Sequence, residues 1–190
     1  MGAAPVVKVS VEEYLAADRA AEFPSEYYDG EVFPIAVANV PHSLINNNFV
    51  RRVAERLDGG PCHILAQIRV RIGPAKFVYP DQAVVCGRLE FIGEGAETIA
   101  NPKVVVEVMS PSTSDYDHGA KFALYRRLPS LEDYVLIAQD QPSVEVFHKT
   151  ADGAWLLNTH EGLDAVAKID SLRIALPLNE LYAVIEVAAP

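Results

Sequence analysis

The sequence Lys-Val-Val-Val-Glu-Val-Met at residues 103–109 decides the fold. It is apolar on both faces except for Glu107, and a strand of this kind lies at the centre of a sheet that is covered on both sides. An ionised carboxylate in such a strand is costly unless it is paired or binds a cation. Glu107 is therefore a candidate functional residue, and a buried ion pair or a protonated glutamate is the structural alternative.

Strands and helices are predicted on both sides of this central strand. Residues 63–72 alternate between apolar and polar, residues 77–86 predict another strand, and apolar residues recur every four positions along a helix at 41–58. The other predicted elements are a helix at 10–18, a strand that Glu31 opens after an Asp29-Gly30 turn, a helix at 115–128, strands at 134–138, 143–149 and 154–159, and a short helix at 177–185. This mixed order predicts one α/β domain of the mixed α+β type over residues 1–190.

Composition limits the functions that the chain can have. With 16 basic and 26 acidic residues the net charge is −10, which excludes a passive nucleic-acid coat but not an enzyme that acts on nucleic acid. No apolar run reaches the length of about 18 residues that a membrane span needs, and the N-terminus lacks a signal-peptide pattern. Cys62 and Cys86 lack metal-site spacing and are predicted to be buried thiols, so we expect a cytoplasmic protein without membrane contact.

A second carboxylate and a lysine accompany Glu107 in the sequence. Asp81 follows Pro80, which removes a ladder hydrogen bond and marks a strand edge or bulge, so Asp81 is either functional or a strand-end turn residue. Two carboxylates from neighbouring strands are typical of a Mg²⁺ site. Lys121 follows on the next predicted helix and could orient a water or stabilise negative charge, although a surface lysine is the alternative.

Several motifs occur in a distinctive order. They are Tyr27 to Glu31, His42, Pro80-Asp81, Val105 to Thr113, Asp117 to Tyr125 and Pro129 to Tyr134. Their order resembles that of the Uma-two family of restriction-type endonucleases, within the PD-(D/E)xK nuclease superfamily, over residues 10–160. The resemblance implies a restriction-endonuclease-like core, with a central mixed β-sheet flanked by helices.

The resemblance also implies an active site. Asp81, Glu107 and the carbonyl of Val108 would hold Mg²⁺ or Mn²⁺. The lysine expected two positions after Glu107 is missing, because Met109 stands there, and Lys121 would take its catalytic role. Additional site residues would come from Glu31, His42 and Tyr125, for which a surface acid, a half-buried histidine and a core tyrosine are the alternatives.

These features together predict a metal-dependent endonuclease. It would hydrolyse nucleic-acid phosphodiester bonds, with DNA expected ahead of RNA. The resemblance to the nuclease superfamily implies that the products would carry 5′-phosphate and 3′-hydroxyl ends. A homodimer is expected if both strands of a duplex are cut, since that needs two active sites. Two other classes stay open at this point: a nuclease-fold binding or regulatory module with little activity, and a structural or self-assembling protein with an incidental carboxylate pair.

Overall fold

The computed structural model describes residues 8–35, 37–93, 95–111 and 113–185. Its first half consists of α1 (Val11–Ala20), β1 (Ser25–Tyr28), β2 (Glu31–Pro34), α2 (Val40–Leu57), β3 (Cys62–Ala66), β4 (Arg69–Gly73), β5 (Lys76–Val78), β6 (Gln82–Cys86) and β7 (Thr98–Ile99). The second half consists of β8 (Val104–Met109), α3 (Ser114–Tyr116), a π-helical turn (Asp117–Lys121), α4 (Phe122–Tyr125), β9 (Asp133–Ala138), β10 (Ser143–Lys149), β11 (Trp155–Glu161), β12 (Val166–Ile169), a 3₁₀ turn (Asp170–Leu172), β13 (Ile174–Pro177) and α5 (Leu178–Leu181).

Two sheets carry most of the strands. One has six strands in the order β11-β10-β9-β8-β6-β3, and the other has five in the order β2-β1-β5-β4-β7. Each sheet is mixed, because β8 and β9 run parallel in the first and β4 and β7 run parallel in the second. The predicted mixed α+β class is confirmed, and the structure has two mixed sheets flanked by helices where one central mixed sheet was predicted.

Strand β8 is the centre of the larger sheet, as its sequence predicts. All six of its residues are buried. One apolar cluster packs Val104, Val106 and Val108 toward α2 and α5, and another packs Val105 and Met109 toward the five-stranded sheet and Tyr125 of α4. Because apolar layers cover both faces, Glu107 is held inside the protein and is only 4% exposed.

Two predicted strands are each divided between the sheets. Residues 63–72 form β3 and β4, and the chain turns from one sheet to the other at Gln67, which has a left-handed φ of 46°. Residues 77–86 likewise form β5 and β6, with the break at Tyr79-Pro80-Asp81. Period-two alternation holds within each half, so the pattern alone does not reveal where a strand changes sheets. Asp81 therefore lies at a sheet crossing.

Some local elements differ from the sequence prediction. The helix predicted at 115–128 contains the π-helical turn Asp117–Lys121, and the C-terminal helix spans only Leu178–Leu181. Strands β7, β12 and β13 were not expected, since runs of two to four residues carry little periodicity. By contrast, α1 begins at Ser10 with the predicted Ser10–Glu13 capping box.

The prediction of two buried thiols is wrong, because Cys62 and Cys86 form a disulfide. The two residues are directly opposite each other on β3 and β6, a register that 24 residues of sequence separation conceal. The cysteines therefore no longer support the expectation of a cytoplasmic location. Among the described residues, no helix has the length and apolar character needed to cross a membrane.

Candidate active site

A pocket of about 310 Å³ opens where the two sheets meet the start of α2 and the π-helical turn. The Asp, Glu, His and Lys side chains that line it are Glu26, His42, Asp81, Glu107, Asp117 and Lys121. Four of these are acids, and Lys121 is the one lysine or arginine among the lining residues that the structure describes. The pocket is therefore strongly electronegative and suited to a cation.

Glu107 forms the floor of this pocket and is held by two donors. Lys121 Nζ lies 2.8 Å from Glu107 Oε1, and the Tyr125 hydroxyl donates to the same oxygen at 2.9 Å. Burial raises the pKa of Glu107 to about 8, even though the Lys121 ammonium acts to lower it. Because both donors use Oε1, the second carboxylate oxygen can serve as a ligand.

Lys121 is a buried lysine, not a surface one. It is 8% exposed, and its ammonium also lies 3.8 Å from Asp117 and 3.9 Å from Glu26. Burial lowers the pKa of Lys121, but the surrounding carboxylates outweigh that effect and raise it overall. The π-helical turn places Asp117 and Lys121 on the same side of the helix, toward Glu107. Lys121 is thus a fixed positive charge within an acidic cluster.

Asp81 is fixed by β8 and by α2. Its Oδ2 accepts a hydrogen bond from the backbone N–H of Val108 at 2.8 Å and lies 3.1 Å from His42 Nε2. The Nδ1 of His42 lies 3.2 Å from the Asn46 amide nitrogen; if it accepts there, Nε2 carries the proton and donates to Asp81. Asn39 caps α2 by accepting from the His42 N–H, which fixes the start of the helix beside the pocket.

The pocket brings together most of the residues singled out in the sequence, and it adds Glu26 and Asp117. Asp81, Glu107, Val108, Lys121 and His42 line the pocket, and Tyr125 lies behind Glu107. Glu31 is exposed at the start of β2 and is not among the lining residues.

Glu26, and not Glu31, is the carboxylate of the β1–β2 hairpin that lines the pocket. It accepts from the Tyr28 hydroxyl at 2.7 Å. Sequence reasoning missed Glu26 and gave no role to Asp117. The Asp29-Gly30 turn fixes the hairpin register, so this turn combined with strand alternation could have revealed that Glu26 faces inward.

The donor set fits a hard divalent cation that keeps several waters. Mg²⁺ is usually held by one or two carboxylates together with substrate oxygens. In the described ranges, no group of three or more His, Cys, Asp or Glu side chains could hold a metal. Asp81, directly before β6, and Glu107, in the neighbouring β8, are two carboxylates that both line the pocket. The N–H and C=O of one strand residue point to the same side, which directs the Val108 carbonyl toward Asp81.

The fold has a solved counterpart among nuclease-like proteins. A crystal structure described as "a putative nuclease belonging to DUF820", from Anabaena variabilis ATCC 29413, matches with a TM-score of 0.76. The match covers 92% of this chain and 98% of that chain at 19% sequence identity. At this identity the likeness concerns the fold alone, which is a mixed α+β fold.

The sequence itself identifies the family. A family model described as "Putative restriction endonuclease" matches residues 11–179, so this chain belongs to the Uma2 family, and the resemblance read from its motifs is confirmed. Two uncharacterized proteins of Synechocystis sp. (strain ATCC 27184 / PCC 6803 / Kazusa) are similar. The protein slr1290 is 32% identical over 181 residues, 94% of each chain, and sll1609 is 30% identical over 168 residues, 87% of this chain and 95% of that protein.

Proposed function

We propose that this chain is a divalent-metal-dependent endonuclease that hydrolyses phosphodiester bonds in nucleic acid, with DNA as the preferred substrate. The observation that carries the proposal is the 2.8 Å contact between Lys121 and Glu107 in one pocket with Asp81. It places two carboxylates and a buried ammonium together, which is the minimal set for hydrolysis with an activated water. Membership of a family described as restriction endonucleases supports the same conclusion.

Asp81, Glu107 and the Val108 carbonyl are the residues that would hold Mg²⁺ or Mn²⁺. When bound there, such an ion polarises the phosphate and lowers the pKa of a coordinated water. His42 keeps Asp81 in place through its Nε2 contact, and Tyr125 does the same for Glu107 through its hydroxyl. Both are positioning residues, since each acts through a carboxylate.

Lys121 supplies the one fixed positive charge in the pocket lining that the structure describes. Its ammonium neutralises part of the acidic cluster and faces the space in which a scissile phosphate would lie. There it would stabilise the negative charge that develops on the phosphate in the transition state. Cleavage is proposed to leave 5′-phosphate and 3′-hydroxyl ends.

A nuclease-fold module with little activity is the second candidate. The net charge of −10 supports it, because repulsion slows encounters with polyphosphate. The acidic pocket points the other way, since a phosphate-binding module gains nothing from four acids around one lysine. A structural role gives no reason to bury Glu107 and Lys121 together in a pocket.

The test is a cleavage assay on supercoiled, linear and single-stranded DNA with Mg²⁺, Mn²⁺ or EDTA. Wild type is compared with Glu107→Gln, and Glu31→Gln serves as a matched exposed control. We expect metal-dependent cleavage that is lost in Glu107→Gln and retained in Glu31→Gln. Cleavage that survives in Glu107→Gln overturns the proposal, and so does the absence of cleavage on every substrate with either metal.

For the case in which both strands of a duplex are cut, a homodimer is proposed, because that reaction needs two active sites and the described residues of one chain form one such pocket. Light scattering of the purified protein, with and without a duplex, measures this directly. A mass equal to one chain under both conditions contradicts the dimer without touching the nuclease assignment.

A further inference from the structure

Building on the proposed function, we propose that the hairpin of β1 and β2 is a stacking wall for an unpaired nucleobase beside the scissile phosphate. The wall consists of Phe33, Tyr28 and Tyr116. The substrate class that follows is single-stranded or locally unpaired nucleic acid.

The register of the hairpin places Phe33 on the face that bears the site. Phe33 is directly opposite Glu26, and residues opposite each other on neighbouring strands share a face. Glu26 lines the pocket and lies 3.9 Å from Lys121. The ring of Phe33 is therefore beside the acidic cluster, yet 44% of the residue is exposed.

An aromatic row connects Phe33 to the pocket. The ring of Tyr28 packs edge-on against Phe33, with centroids 5.6 Å apart. The hydroxyl of Tyr28 donates to Glu26 at 2.7 Å and lies 2.9 Å from the hydroxyl of Tyr116. Tyr116 lines the pocket and is 40% exposed. Two exposed rings are thus held in place by Tyr28 at the mouth of the site.

Apolar residues that follow Phe33 in the chain form part of the rim of the mouth. Pro34, Ile35 and Val37 line the pocket, and Val37 is 87% exposed. Val40, at the start of α2, is 71% exposed. Such a rim offers nothing to a phosphate backbone, whereas a nucleobase can pack its apolar face against it.

The charge of the pocket lining also favours contacts to bases over contacts to phosphates. Nucleases that hold a duplex through its backbone use several lysines or arginines. Here the described pocket lining has Lys121 alone, and that ammonium is paired with Glu107. Stacking on aromatic rings is tolerant of sequence and supplies affinity that the acidic surface cannot.

A second copy of the chain is the competing occupant of this wall, and the hairpin disfavours it. β2 is the edge strand of its sheet, and strand addition there would use its free backbone edge. β2 has only four residues and ends at Pro34, which has no N–H to donate to another strand. An edge of this kind is a poor template for pairing between copies.

The test measures binding without cleavage. The full chain with Glu107→Gln is titrated, in Mg²⁺, into a fluorescein-labelled dT₁₂ strand and into a labelled blunt duplex of equal length. Phe33→Ala is then added in the same background, with Phe91→Ala as the matched control. Phe91 is 50% exposed and pairs with β7, at the opposite edge of the same sheet.

We expect tighter binding of dT₁₂ than of the duplex, a loss of about tenfold in Phe33→Ala, retention in Phe33→Trp, and no change in Phe91→Ala. Stronger duplex binding, or equal binding by the Phe33 and Phe91 variants, overturns the stacking wall. A dimer that Phe33→Ala dissociates assigns the face to a second copy and also overturns it. If dT₁₂ binding depends on Phe33 but the wild-type chain cleaves no substrate with either metal, the nuclease is refuted and the wall stands.

Discussion

Lys121 meets Glu107 from a different element and across 14 positions of sequence, with 2.8 Å between ammonium and carboxylate. The position two residues after Glu107 belongs to Met109, which is 7% exposed and packs in the core on the face away from α2. Strand β8 therefore has a core methionine at the position where a Glu-x-Lys arrangement would have its lysine. The π-helical turn brings the ammonium to the pocket instead.

Replacement of Lys121 by Met tests this relationship. The substitution keeps an unbranched side chain of similar shape but removes the charge, so we expect cleavage to fall by about 10²–10⁴-fold. Lys149→Met, at the end of β10, is the matched control and should cleave as wild type. Rates are measured with Mg²⁺ at saturating DNA. A Lys121→Met enzyme within threefold or so of wild type would exclude a catalytic role for the ammonium.

The raised pKa of Glu107 gives the stability of the metal-free protein a specific pH dependence. The folded state retains a proton on Glu107 up to a pKa of about 8, whereas the unfolded state releases it near 4.5. Between these values the folded state binds more protons, so this stabilising contribution is complete below pH 4.5 and is lost as pH rises through 8. Urea denaturation in EDTA at several pH values should show that the free energy of unfolding of Glu107→Gln lacks this fall between pH 4.5 and pH 8. Parallel slopes in the two proteins would contradict a raised pKa.

Metal affinity should rise with pH over the range in which the stabilising contribution of Glu107 falls. A divalent ion must displace the proton from Glu107, so below a pKa of about 8 each ion that binds releases a proton. We expect Mn²⁺ affinity to rise with pH up to about 8, and calorimetry in buffers of different ionisation enthalpy to reveal proton release. Asp81→Asn should weaken binding at every pH. Affinity that is flat across this range would remove Glu107 from the ligand set.

The contact between His118 and Glu145 should stabilise the π-helical turn. His118 Nε2 lies 2.9 Å from Glu145 Oε2, and its Nδ1 lies 2.8 Å from the Ser114 carbonyl. Burial lowers the pKa of His118, but the Ser114 carbonyl and the Glu145 carboxylate together raise it above 6.5.

The contribution of this pair to stability is therefore complete below pH 6.5 and is lost as pH rises through the folded pKa. His118 is 35% exposed, so we expect Glu145→Gln to cost less than about 1 kcal/mol. Denaturation at about pH 6 and about pH 9 measures how the difference in free energy of unfolding between wild type and Glu145→Gln changes with pH. A cost that is larger at the higher pH would contradict the assignment.

Local signals in the sequence account for much of the fold. The Ser10–Glu13 capping box, the Asp29-Gly30 turn and the apolar run around Glu107 each act within a few residues, and each appears where expected. The turn places Asp29 and Gly30 at φ values of 50° and 103°, as such a tight hairpin needs.

The parts that sequence could not supply depend on partners far apart in the chain. The burial of Lys121 depends on Glu107 and on Glu26, which lies 95 positions earlier, and the Cys62–Cys86 bond depends on strand register. At Gln67 a left-handed backbone carries the chain between the sheets. Glycine is the residue that usually indicates such a conformation, so a glutamine at this position does not predict the turn. Such features are set by packing between elements, which no short pattern encodes.

The two sheet crossings have a mechanical consequence. The chain passes between sheets at Gln67 and again at Asp81, and the Gln67 N–H donates to the Asp81 carbonyl at 3.2 Å. This hydrogen bond joins the two crossings directly. Glu26 belongs to one sheet and Glu107 to the other, so a change in the angle between the sheets opens or closes the gap between these acids. A ligand that bound both acids would link the two sheets at the pocket. The sheets would then be held at one angle, and the protein would be more rigid.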